Sequence, residues 1–256
     1  TYQHNVPLTE GGRTGESVYY QINARLYEPG TPVQTFSPPA RQALRDAATA
    51  LLKPPAELQS RGTQRTSADN LTLRPGVTPL GTSGGGILQG ASRAITRLSI
   101  RFDPATFEPE QLEATLRAVV LEIDFDGVNT VRSPIGDFFG IGYRATQTFT
   151  ARAEVTRDFS MVSRWVMPFD RSCEVRLVNT SSEPIPGVGF DLTVQELPQH
   201  TDMRFHALWR EDRAVDTLGR KSMDDGPART MPYIAVQGRG VYVGDTLTIF
   251  NAADAW

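Results

Sequence analysis

Residues 133–142 read Ser-Pro-Ile-Gly-Asp-Phe-Phe-Gly-Ile-Gly, which sets Asp137 between two glycines and two aromatics directly after a strand-like run. A flat apolar ring beside a hydroxyl acceptor is what a sugar site needs. The same residues also suit a glycine-flexed turn in which Phe138 and Phe139 plug the core. Residues 238–245 (GRGVYVGD) offer Arg239 and Asp245 to orient a ligand, with glycines that allow close backbone approach. They read equally as a β-bulge or hairpin.

Other chemistry is thin. The glycine run 81–86 lacks the Lys-Ser/Thr and the strand-to-helix switch of a phosphate loop, so it reads as a linker. Asp124 and Asp126 alternate onto one strand face ahead of Gly127, but the further oxygen ligands of a calcium loop are missing. That leaves a solvated strand face entering a turn. His4, His200 and His206 are far apart, with no acidic or cysteine partner at ligand spacing, so no metal site and no cofactor is expected. No Gly-x-Ser-x-Gly elbow is present. Cys173 is the single cysteine, which excludes an intrachain disulfide and gives no sign of a nucleophile. Asn70-Leu71-Thr72 and Asn179-Thr180-Ser181 match the glycosylation sequon, a motif common by chance.

The elements that must position these residues are mostly strands. Residues 17–26 and 119–125 alternate with period two, the second ending in the turn pair Asp126-Gly127. Further strands are expected at 95–102, 144–155, 163–167, 174–179, 189–195, 204–209, 233–238 and 245–251. Prolines and glycines separate them at the spacing of a sandwich. Helix is expected at 40–52, capped by Ser37 with Pro38 in its first turn and ended by Pro54-Pro55, and at 109–117. The polar stretch 59–90 reads as a long loop or a boundary between two β units.

The chain has 256 residues, 39% apolar and 21% charged, with a net charge of −3 and both signs well mixed. This is the balance of a globular protein, without the basic stripe of a nucleic-acid binder. No apolar run approaches the length of a membrane span. Nothing in the sequence fixes the compartment; bacterial cytoplasm and secretion both fit.

Seven segments in order carry a resemblance: YYQIN at 19–23, VQTFS at 33–37, FDG at 125–127, SPIGDFFG at 133–140, MPF at 167–169, FHALWR at 205–210 and GRGVYVGD at 238–245. Together they resemble glycoside hydrolase family 172, formerly a domain-of-unknown-function family. The resemblance implies an all-β, capsid-like double jelly roll assembled as a homotrimer or hexamer. It implies a retaining enzyme acting on furanosides such as D-arabinofuranosides or fructofuranosides, with one glutamate as nucleophile and another as acid/base. On this reading Asp137, Phe138 and Trp256 contribute walls of the sugar pocket, with Arg239 and His206 in supporting positions.

The chain departs from the family pattern at both ends. The family's Trp-Gly-Glu-Gly-Asp and Gly-Thr-Gly-Thr-Glu-Asp-Tyr segments, which carry the two glutamates, are expected just after Trp256. Its Ser-Phe-Asp-Arg-Thr-Gly-Gly-like strands are expected before Thr1. Retention needs two carboxyls about 5–5.5 Å apart, and no motif links a second acid to Asp137. The expected layout is therefore the end of a first jelly roll with its helix (1–58), a connecting loop (59–93) and an incomplete second jelly roll (94–256). Such a piece alone would be inactive. Its open strand edges would call for the missing strands of the same protein or a complementary chain. The competing expectation is a non-catalytic structural jelly-roll protein, or a carbohydrate-binding module.

Overall fold

The computed structural model describes residues 2–7, 17–22, 29–32, 38–52, 62–80, 87–89, 93–144, 148–149, 152–212 and 234–249. The chain divides into two compact units, Thr1–Ala47 and Ala48–Trp256. The first holds an antiparallel pair, β1 (Tyr2–Pro7) and β2 (Ser17–Ile22), in register from Tyr2 opposite Ile22 to Pro7 opposite Ser17. Helix α1 (Pro38–Leu52) crosses the boundary between the units; its residues 42–50 are exposed.

The second unit runs β3 (Gln64–Leu73), β4 (Gly76–Leu80), β5 (Ile87–Gln89), β6 (Arg93–Phe102), α2 (Pro109–Ala118), β7 (Val119–Phe125), β8 (Val128–Pro134) and α3 (Ile135–Phe138). It continues with β9 (Thr148–Phe149), β10 (Ala153–Val155), β11 (Ser160–Ser163), β12 (Met167–Phe169), β13 (Ser172–Asn179), β14 (Ile185–Glu196) and β15 (Ala207–Leu208). One sheet has the order β3-β14-β6-β11-β10-β9, with β12 also on β6; the other is β15-β8-β7-β13-β4, with β5 also on β13.

The period-two pattern explains how the sheets face each other. In β7 Val119, Leu121, Ile123 and Phe125 are buried, and in β13 Cys173, Val175 and Leu177 are. These pack in one core with Leu98, Ile100 and Phe102 of β6 and Phe190 and Leu192 of β14. The result is a β-sandwich of two open sheets. The intervening residues of the second sheet carry charge. Arg176 lies 2.8 Å from Asp124, 3.1 Å from Glu174 and 3.3 Å from Glu122.

Several sequence expectations are corrected. The stretch 59–93, read as a loop, contains β3, β4 and β5. Strand β3 is an edge strand whose side chains are mostly exposed, so apolar alternation is weak there. Conversely, the described residues 234–249, expected as two strands, pair with no described strand. Alternation shows that a segment suits a strand, but a ladder needs a partner backbone. The run 204–209 contributes only the two residues of β15. The glycine run 81–86 and Ser37 lie outside the described residues.

The Asp126-Gly127 turn forms as expected, with φ of 57° and 89°, the positive pair a two-residue hairpin loop requires. It does not keep Asp126 on the face of Asp124, because the left-handed backbone turns the side chain aside. Its carboxylate accepts N–H bonds from Arg171 at 2.6 Å, and from Asp170 and Ser172 at 3.1 Å each. It also accepts from Arg204 Nε at 2.7 Å. Burial pushes the Asp126 pKa up, but these donors outweigh it and bring the group from 3.8 down to about 2.

Asn179 is the second polar fastener. It is 2% exposed, and its amide donates to the Leu73 carbonyl at 3.0 Å and the Glu183 carbonyl at 2.8 Å. Its oxygen accepts from the Ser181 backbone and hydroxyl. This sequon asparagine is therefore consumed by the fold.

Two stability outcomes follow from these fasteners. Asp126→Asn is expected to destabilise by about 1–2 kcal/mol at neutral pH, once screening at this surface turn is allowed for. Because the folded pKa lies below the unfolded one, the stabilisation is complete above pH about 4. It fades as pH falls toward 2, so urea midpoints of wild type and variant should converge there. Asn179→Ala strands two carbonyls and should lower unfolding free energy by about 2–4 kcal/mol at unchanged urea dependence.

Candidate functional site

Helix α2 starts with a reciprocal capping box between Glu108 and Gln111 and buries Leu112 and Leu116, which leaves Arg117 at its last turn facing α3. Strand β8 ends at Pro134 and the chain turns at once into α3. There Gly136 is obligatory. A Cβ on it would lie 1.7 Å from the Gly142 carbonyl oxygen and 3.1 Å from the Leu116 Cβ. The backbone N–H groups of Ile141 and Gly142 both donate to the Gly136 carbonyl, so residues 140–142 fold back across the helix. Gly142, at φ 61°, sits against Thr248, whose hydroxyl would be 2.4 Å from a Cβ there. The glycines of this motif are thus close-approach residues, and they fix where Asp137 points.

Asp137 is the acceptor at the centre of a compact cluster. Arg117 Nη1 binds its Oδ2 at 2.7 Å, and the Thr248 hydroxyl donates to Oδ1 at 3.5 Å. The other arm of the same guanidinium lies 3.6 Å from Glu211, and its plane stands 5.0 Å above the Trp209 ring, a cation–π distance. The Asp137 side chain is only 11% exposed. Burial raises its pKa, the Arg117 charge and hydrogen bond oppose that, and Glu211 adds a smaller push upward. Trp209 is 39% exposed, so an indole surface remains open beside a carboxylate and a guanidinium.

The other expected site residues are dispersed. Phe138 is half-buried against the core, its ring edge-on to Phe139 at 5.1 Å, so it serves packing at least as much as any pocket. His206 is exposed and lines a cleft along the first half of β8; with Ala207 paired to Val131 it lies level with Thr130, four strand residues before Pro134, whereas Asp137 follows the end of the strand. Arg239 is exposed within 234–249, where Tyr242 donates to Asp245. Trp256 lies outside the described residues. Arg117, Glu211 and Thr248 were not singled out by sequence, since nothing local distinguishes them. Trp209 was visible in the FHALWR segment without a role. Cys173 is fully buried and its thiol is pushed far up by burial, so it is no nucleophile.

Among the described residues, no group of three or more His, Cys, Asp or Glu side chains is arranged to hold a metal, and no helix is long and apolar enough to cross a membrane.

Comparison with curated proteins finds no match. Among solved structures, one titled "Crystal Structure of FLHE" is similar at 12% identity and a TM-score of 0.24, over 53% of this chain and 96% of that one. The family model described as GH172 domain-like matches residues 89–187, which include β7, β8, the Asp126 turn and Asp137 but not Trp209 or His206. Residues 89–187 of this chain are accordingly a GH172-related domain.

Proposed function

We propose that this domain serves a retaining glycoside hydrolase acting on furanosides such as D-arabinofuranosides or fructofuranosides, and that these residues bind and orient the sugar. The observation behind this reading is the Arg117–Asp137–Trp209 cluster. An open indole suits a sugar ring face, and the half-buried ion pair supplies a donor and an acceptor for hydroxyls.

The acids that cleave the bond are proposed to be other groups. Several carboxylates here are already engaged as ion-pair partners of one guanidinium: Asp137 and Glu211 at Arg117, Asp126 and Asp170 at Arg204, and Glu122, Asp124 and Glu174 at Arg176. The proposal includes the double jelly roll and a homotrimeric or hexameric assembly.

Hydrolysis of an aryl α-D-arabinofuranoside by the intact protein tests this. Trp209→Ala and Asp137→Asn are each expected to lower kcat/KM about 10–100-fold, with urea midpoints close to wild type and partial recovery in Trp209→Phe. Product NMR should show retained anomeric configuration. A well-folded intact protein that turns over no furanoside would leave the non-catalytic building block as the better description.

A further inference from the structure

We propose that the cleft where the β7–β8 hairpin meets residues 170–172 is a second binding site, for a neutral polyhydroxylated ligand of monosaccharide size. It lies along the first half of β8, whereas Asp137 follows the strand's end, and it does not rest on the reading of that cluster. The cleft measures about 520 Å³, within the range of small-molecule sites. Thr130, Asp170, Arg171, Asp202, Arg204 and His206 are among the side chains around it.

The first argument is Thr130. Ile123 faces Val131 and Asp124 faces Asn129, so Thr130 is the unopposed residue of a β-bulge. Its side chain is 3% exposed, and its hydroxyl has no hydrogen-bond partner among the described residues. A buried hydroxyl without a partner costs free energy, and bulges re-aim side chains beside functional sites. A hydroxyl both donates and accepts, which makes another hydroxyl its natural complement.

The second argument is charge. Arg204 binds Asp126 through Nε and Asp170 through Nη2, and its Nη1 donates to the carbonyls of Thr201 and Met203. His200 lies between Asp170, 3.3 Å from Nδ1, and Asp202, 3.0 Å from Nε2. Arg171 donates to the Asp126 carbonyl. Each carboxylate in the cleft already faces a guanidinium or an imidazole, so a cation finds none without a partner, and three carboxylates against two guanidiniums disfavour an anion. The paired carboxylates still have lone pairs that accept hydroxyls. Val128, 61% exposed, adds an apolar wall for a carbon face.

NMR of the full chain tests this, read at the His206 ring and Thr130 methyl signals. The probes are D-arabinose, anionic D-arabinonate and cationic D-glucosamine. D-Arabinose should shift both signals saturably and bind more tightly than either charged probe. Thr130→Val should weaken it at least fivefold while leaving Tm equal or higher, because a partnerless hydroxyl is exchanged for a methyl of the same size. Asp137→Asn should leave the His206 response unchanged, which separates this site from the Asp137 cluster. The proposal is overturned if D-arabinose moves neither signal, if a charged probe binds better, or if Asp137→Asn abolishes the response. A lower Tm in Thr130→Val would also overturn it, since the hydroxyl would then serve the fold.

Discussion

One carboxylate sets the geometry of the second unit. Asp126 collects three backbone N–H groups from 170–172 and the guanidinium of Arg204, and so ties the β7–β8 hairpin to the start of β13 and to the chain that enters β15. A non-glycine residue at positive φ is strained on its own, and these contacts are what hold it there. Strand β8 inherits its register from this turn. The first half of the strand carries the Thr130 bulge, and its end leads through Pro134 into α3 and Asp137. Both chemically interesting places therefore depend on the same hairpin.

The Asp137 cluster shows how a half-buried charge is made tolerable. Desolvation works against the ionised aspartate, and Arg117 opposes it with a direct bond. That arginine in turn stands over Trp209 and reaches Glu211. Such an ion pair adds little net stability, because desolvation cancels much of the attraction. Its value lies in direction: the guanidinium holds a carboxylate and an indole in fixed relation. The close contacts of Gly136 and Gly142 leave the aspartate few alternative positions.

Much of the fold was legible in sequence wherever side-chain alternation marks a buried face. Strands β7 and β13, helix α2 and the Asp126-Gly127 turn all follow from local pattern. The edge strand β3 was not legible, because a strand exposed on much of its surface has little apolar signal to give. At the site, Asp137 was visible from its glycine and aromatic neighbours. Arg117 was not, since an arginine in the last turn of an amphipathic helix is ordinary until tertiary structure brings Asp137 to it, 20 residues along the chain. Thr130 was hidden for a related reason: a bulge is a property of two strands, and one strand's sequence does not announce it.

Asn179 has a bearing on how the protein can be made. Its sequon is intact, but its side-chain amide is committed to the carbonyls of Leu73 and Glu183 in the core. In a eukaryotic secretory host, an oligosaccharide attached to the emerging chain before β13 forms would occupy the nitrogen that those carbonyls require. A bulky solvated group cannot enter that space. The glycosylated fraction would be trapped short of the sandwich, so a bacterial host, or one that keeps the chain out of the secretory route, is the production system this asparagine favours.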